Sequence, residues 1–192
     1  FQFDYGECGA LVSFFGPWLF PKHLDLIFYI FSGETFGSYN QHTRFKREFI
    51  QFGVPMFELI KVDETKRYIE PIPAILQDLI DKTIQWKYIP EDMRPNGCRI
   101  NFFDEGEYSH PFEKPPHLEQ SISILLLSKS KLAFGHKLIG DIVADGKGNY
   151  RGGFTFNPFP EGHFLVMNGE ISESTHAMCT LPIKRITITF FK

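Results

Sequence analysis

The chain has 192 residues, and 23 acidic against 20 basic side chains leave a formal net charge of −3. That length suits one domain with a substantial core, and that charge excludes a global positive field, so any polyanion contact must be local. Hydrophobic residues make up 43% of the chain and Phe alone fills 22 positions, a composition that favours strands.

The first segment, residues 1–31, opens on Phe1 rather than Met, as an excised piece of a longer protein would. Its apolar run ALVSFFGPWLFPKHLDLIFYIF is broken by Gly16, Pro17, Pro21, Lys22, His23 and Asp25. It falls short of the roughly 18 clean apolar residues a membrane span needs and lacks the pattern of a signal peptide. No membrane contact is expected, and the segment is read as packing on the core. Residues 32–192 are read as the functional domain.

ETFGSYNQHTRFKREFIQFG, residues 34–53, is polar and mixed, with Arg44, Lys46 and Arg47 between aromatics, and predicts a surface loop or hairpin. In PIPAILQDLIDKTIQWKYI, apolar residues at 72, 75, 76, 79, 80 and 84 make the stripe of an amphipathic helix, with Pro90 as its stop. RINFF then starts a strand, DEGEYSHPFEKPP is a long loop, and HLEQSISILLLS and KLAFGHKLI are strands. DGKGN marks a hairpin turn, and FTFNPF, GHFLVMNG and RITITFFK give three more strands. One helix and a series of short strands predict a mainly β fold with a flanking helix, an antiparallel sandwich or jelly roll. Cys8, Cys98 and Cys179 are too few and too scattered for a disulfide scaffold or zinc knuckle. They read as reduced, buried thiols of an intracellular protein.

Chemistry concentrates near the ends of these strands. If HLEQSISILLLS is extended from its first residue, His117 and Glu119 share one face. An imidazole and a carboxylate side by side are half of a metal site. His176, in ESTHAMC, offers a third donor, and two histidines with one carboxylate make the facial triad of non-heme Fe(II) oxygenases. Alternation along RITITFF sets Arg185, Thr187 and Thr189 opposite Ile186, Ile188 and Phe190, and an Arg facing an apolar interior calls for an anion such as a carboxylate. His110 and Glu113 form a second, H-x-x-E pair on the preceding loop, ranked lower because a loop holds ligands less rigidly.

INFFDEGEYSHPFEKPPHLEQ, EGHFLVMNGE and STHAM followed by KRITITFFK resemble, in this order, the motifs of the AlkB-like 2-oxoglutarate- and Fe(II)-dependent dioxygenases. GVPMFE, EPIPAILQDLIDKTIQW, RPNGCRINFFDEGE and AFGH are similar to that family's plant mRNA 6-methyladenine demethylases, over residues 32–192. The resemblance implies a double-stranded β-helix with Fe(II) on His117, Glu119 and His176. It also implies Arg185 on the distal carboxylate of 2-oxoglutarate and Asn101, Phe103 and Thr187 in the cosubstrate pocket. Phe103 stands where the family often has Tyr, Thr187 where some members have Asn, Phe191 where some have a second Arg, and Glu119 where many have Asp.

The implied reaction is oxidative removal of the N-methyl group of adenine in single-stranded RNA, in the nucleus or cytoplasm, with Fe(II), 2-oxoglutarate and O2. A base must leave its stack to react, and aromatic faces beside cations suit single strands. Tyr39, Arg44, Phe45, Lys46 and Arg47 are the expected RNA contacts, where the family places its recognition lid. The sequence sets no oligomeric state, and a monomer is expected. A non-catalytic RNA-binding module, or an oxygenase acting on DNA or protein, is the alternative reading.

Overall fold

A computed structural model describes residues 2–4, 10–14, 37–39, 47–56, 69–136, 138–140, 150–151, 154–155 and 158–192. Among them the strands are β1 (Gln2–Asp4), β2 (Ala10–Phe14), β3 (Gly37–Tyr39), β4 (Arg47–Gly53), β5 (Gly97–Phe103), β6 (Ile122–Leu126), β7 (Leu132–Gly135), β8 (Ile139–Gly140), β9 (Tyr150–Arg151), β10 (Phe154–Thr155), β11 (His163–Met167), β12 (Thr175–Met178) and β13 (Arg185–Phe191). The predicted helix is α1, Ala74–Gln85.

Eight of the described strands form one sheet in the order β1-β2-β11-β6-β13-β5-β4-β3, and β10-β7-β12 form a smaller one. Every described pairing is antiparallel. The first segment therefore contributes two strands to one end of the large sheet, β1 at its edge and β2 between β1 and β11. The hairpin expected over residues 34–53 is β3–β4, with Tyr39 opposite Arg47. Arg44, Phe45 and Lys46 lie outside the described residues, as do the DGKGN turn and Cys8.

Register decides which side chains face where. On β13, Arg185, Thr187 and Thr189 lie opposite Phe103, Asn101 and Arg99 of β5, and Thr187 and Thr189 lie opposite Leu126 and Ile124 of β6. Because side chains alternate, these residues share the face turned toward the smaller sheet. The other face, with Ile100, Leu125, Val166, Ile188 and Phe190, is covered by Leu76, Leu79 and Ile80 of α1. The helix keeps its apolar stripe on the sheet, carries Lys82 in its last turn where the dipole favours a cation, and gives way to Lys87 at φ 60°. Cys98 packs in that outer layer with no exposed surface, and burial pushes its thiol up to about 12, so it stays protonated and inert.

One predicted element starts later than its sequence suggested. The strand expected from His117 begins at Ile122. Pro115 and Pro116 supply no ladder donors, the Leu118 N–H closes a turn on the Pro115 carbonyl at 3.0 Å, and Ser121 takes φ 73°. His117 therefore sits in a turn and Glu119 in the irregular chain after it, and strand alternation does not place them side by side.

Candidate active site

The inner faces of the two sheets enclose a cavity of about 310 Å³, at the small end of the roughly 300–1,000 Å³ usual for ligand pockets. From the large sheet come Arg99, Asn101 and Phe103 of β5, Thr187 and Thr189 of β13, and Ile124 of β6. The smaller sheet supplies His176 and Met178 of β12 and Leu132 of β7, and the segment Ser109–Glu113 with Met56 completes the wall. The floor is thus a polar row on two paired strands, and the opposite wall carries an imidazole set among apolar groups.

His176 is 9% exposed and wedged between aromatic rings, 4.9 Å from Phe112 and 5.9 Å from Phe134 between centroids. Its Nδ1 is buried with no hydrogen-bond partner among the described residues. Burial holds the imidazole down at about 4, against a smaller upward pull from the Ser174 backbone. The ring is therefore neutral at physiological pH with a lone pair available, the state a metal ligand needs. The chain segment beside it is clipped to β12 by paired main-chain bonds between Phe112 and His176 at 2.8 and 2.9 Å.

The expected residues distribute unevenly around this cavity. Asn101, Phe103, Thr187 and His176 line it. Arg185, only 1% exposed, does not line it. Its Nη1 donates to the Cys179 carbonyl at 2.6 Å, its Nη2 donates to the Glu107 carbonyl, and its guanidinium carbon lies 5.0 Å from the Phe103 ring centroid. Main-chain carbonyls thus take up both of its terminal nitrogens.

His117 and Glu119 are exposed and engaged elsewhere. The His117 Nε2 is 3.1 Å from the Met56 carbonyl, and the Glu119 carboxylate accepts from Lys192 Nζ at 2.9 Å. His110 and Glu113, the pair ranked lower in sequence, do line the cavity, although the Glu113 carboxylate accepts from Thr175 Oγ1 at 3.2 Å. Among the described residues, no three His, Cys, Asp or Glu side chains come together closely enough to hold a metal ion. The chemistry of His176 fits Fe(II), while the other two donors of a triad are not gathered around it.

Arg99 escaped the sequence reading. The signal was there: in RINFF it precedes Asn101 by two and Phe103 by four, so a strand puts all three on one face.

No protein-family model matches the chain. It is 47% identical over 169 residues to RNA demethylase ALKBH10B of Arabidopsis thaliana, covering 84% of this chain and 29% of that protein. It is 31% identical over 131 residues to RNA demethylase ALKBH9B of the same plant, covering 65% of this chain and 24% of that protein. The chain thus spans under a third of either relative's length. The solved structure of OsALKBH1 superposes with a TM-score of 0.65 at 14% identity, over 98% of this chain and 100% of that one, a likeness of fold. The two facing sheets are a jelly roll of the oxygenase type, and no helix among the described residues is long and apolar enough to cross a membrane. By its fold, its motif order and these relatives, the chain belongs to the AlkB-like 2-oxoglutarate- and Fe(II)-dependent dioxygenases and resembles their plant RNA demethylases.

Proposed function

We propose that this domain removes the methyl group from N-methylated adenine, foremost 6-methyladenine, in single-stranded RNA. The observation that carries the reading is the cavity itself, where a neutral, buried His176 faces a polar floor. The naming of both plant relatives as RNA demethylases supports the substrate class. Fe(II) would be held by His176 with His117 and Glu119, and with 2-oxoglutarate and O2 it would supply the oxidising power. That chemistry would place one oxygen atom on the methyl group and the other in succinate, with CO2 released, and the hydroxymethyl amine so formed would lose formaldehyde.

The chain's own part is placement and dryness. Asn101 and Thr187 offer an amide and a hydroxyl on the floor where the cosubstrate would rest, and Phe103 shields that end without the hydroxyl a Tyr would bring. Arg185, beside the Phe103 ring, adds positive charge to the same end. Phe112 and Phe134 keep water from the His176 ring, which strengthens every polar contact inside.

Anaerobic loading with Fe(II) and 2-oxoglutarate, followed by admission of O2, is expected to release formaldehyde from 6-methyladenine RNA oligonucleotides. Release from methylated DNA alone, or 2-oxoglutarate turnover supported only by peptides, would redirect the substrate. No turnover at all, with RNA binding intact, would favour a non-catalytic RNA-binding module, the reading that the ungathered triad favours.

RNA would be gripped by Tyr39, Arg44, Phe45, Lys46 and Arg47 in and around the β3–β4 hairpin. Removing three cations there, with Arg44, Lys46 and Arg47 changed to Gln, is expected to weaken single-strand binding. It should also flatten the slope of log affinity against log salt by about 2, at roughly 0.7 per phosphate contact. An unchanged slope would make the hairpin a solvated face.

A further inference from the structure

The chain has four methionines, Met56, Met93, Met167 and Met178. Met56 and Met178 line the cavity, at 4% and 6% exposure. Met167 is fully buried and does not line it, and Met93, half-buried, packs in the layer between α1 and the other face of the large sheet. Of the four, Met93 is therefore the one that an oxidant dissolved in the solvent reaches first. An oxidant made inside the cavity meets Met56 and Met178 instead.

Met178 follows His176 by two on β12, so the two share the inward face of the smaller sheet, about 7 Å apart at strand rise. Register fixes the pair, with His176 opposite Phe134 and Met178 opposite Leu132. The Met178 main chain is held at both of its polar groups. Its N–H donates to Ser109 Oγ at 2.8 Å, and its carbonyl accepts from the Ser109 N–H at 3.0 Å. The thioether thus stands on the wall beside the imidazole read above as an iron ligand. It is also the more easily oxidised kind of group there. Sulfur accepts an oxygen atom with no bond to it breaking, whereas the neighbouring Ile124 and Leu132 must give up a C–H bond.

We propose that Met178 is a self-modification site: when the cavity turns over without RNA, the oxygen atom that would otherwise enter the methyl group goes to the Met178 sulfur. This rests on the oxygenase reading above. The O–O bond of O2 breaks, one atom enters succinate as 2-oxoglutarate loses CO2, and the other forms the S–O bond of methionine sulfoxide. 2-Oxoglutarate and the sulfur each give up two electrons, O2 takes four, and no proton is gained or lost. The sulfoxide sets a polar group on a wall shared with Ile124 and Leu132, so idle turnover disables the cavity that performs it.

The test is incubation of Fe(II)-loaded protein with 2-oxoglutarate, catalase and O2 labelled with heavy oxygen, without RNA, followed by peptide mass spectrometry and by assay of succinate. Met178 is expected to carry the label several-fold more than Met93, only when 2-oxoglutarate is present, and to be spared when a methylated RNA oligonucleotide saturates the protein. Metal-free protein treated with hydrogen peroxide should show the reverse order, Met93 first. Met178→Leu, which keeps the volume without the sulfur, should hold its own starting demethylation rate through an RNA-free incubation in which the wild type declines. In protein that forms succinate, no label at Met178, label that does not depend on 2-oxoglutarate, or the same order of methionines in both treatments overturns the site and leaves the oxygenase reading standing. An equal decline of wild type and Met178→Leu overturns the disabling effect. Protein that forms no succinate, with or without RNA, takes the oxygenase reading and the site down together.

Discussion

Replacing His176 with Phe is expected to abolish Fe(II) binding and turnover while leaving the metal-free protein folded, and at neutral pH as stable as the wild type or more so. The loss follows from removing a buried donor that no other described side chain replaces at that point of the cavity wall. The stability follows from the surroundings. Phe112 and Phe134 already contact the ring, and a phenyl group keeps that packing. It also removes a buried Nδ1 that has no partner among the described residues, a feature that costs about 1–3 kcal/mol. Metal affinity measured anaerobically, beside equilibrium unfolding of the metal-free proteins, checks both halves. Fe(II) binding at wild-type affinity would take His176 out of the site, and an unfolded variant would mean that the ring is needed for the fold.

The same substitution carries a pH signature whose sign is fixed. In the unfolded chain the imidazole takes up its proton near the ordinary value of 6.5, but in the folded protein only near 4. Between those values the unfolded chain holds the extra proton, so stability falls as pH drops through that window and is unaffected above it. The whole shift corresponds to about 3 kcal/mol. Metal-free wild type should therefore lose stability between pH 6.5 and 4 relative to His176→Phe, and parallel curves would mean that the ring is not held neutral by burial.

The sequence made the regular parts of this protein readable and the loop beside the cavity unreadable, for one physical reason. Strand alternation in RITITFF and the helical stripe in PIPAILQDLIDKTIQW are set by burial, which acts on every residue of an element at once. Arg185, Thr187 and Thr189 do share one face, and the helix does run within the predicted span. What Arg185 touches is a different matter, because the main-chain carbonyls of Cys179 and Glu107 come from loops 6 and 78 positions away in sequence. Periodicity carries no information about such partners. The side-by-side placement of His117 and Glu119 meets the same limit: two prolines and a positive-φ Ser121 turn the chain just where alternation assumed a strand.

That turn leaves two pairs on one loop to compete for the metal. His110 and Glu113 have the nearer position, but the Glu113 carboxylate is tied to Thr175, a neighbour of His176 on β12 that points to the opposite face. His117 and Glu119 have the weaker restraints. Glu119 and Lys192 keep 47% and 30% of their side-chain surface exposed, and such a pair contributes at most about 1 kcal/mol. Coordination of a divalent cation outweighs that easily, so freeing Glu119 and turning His117 from the Met56 carbonyl is the lower-cost route to a triad with His176. His117→Ala and Glu119→Gln are each expected to reduce Fe(II) affinity by more than the roughly 10–100-fold that loss of an outer partner costs. His110→Ala and Glu113→Gln should stay below it. Lys192→Met, which removes the competitor for Glu119, should tighten Fe(II) by up to about fivefold. Retention of Fe(II) by His117→Ala together with its loss in His110→Ala would hand the metal to the loop pair, and no effect of Lys192→Met would mean that Glu119 never leaves its surface partner.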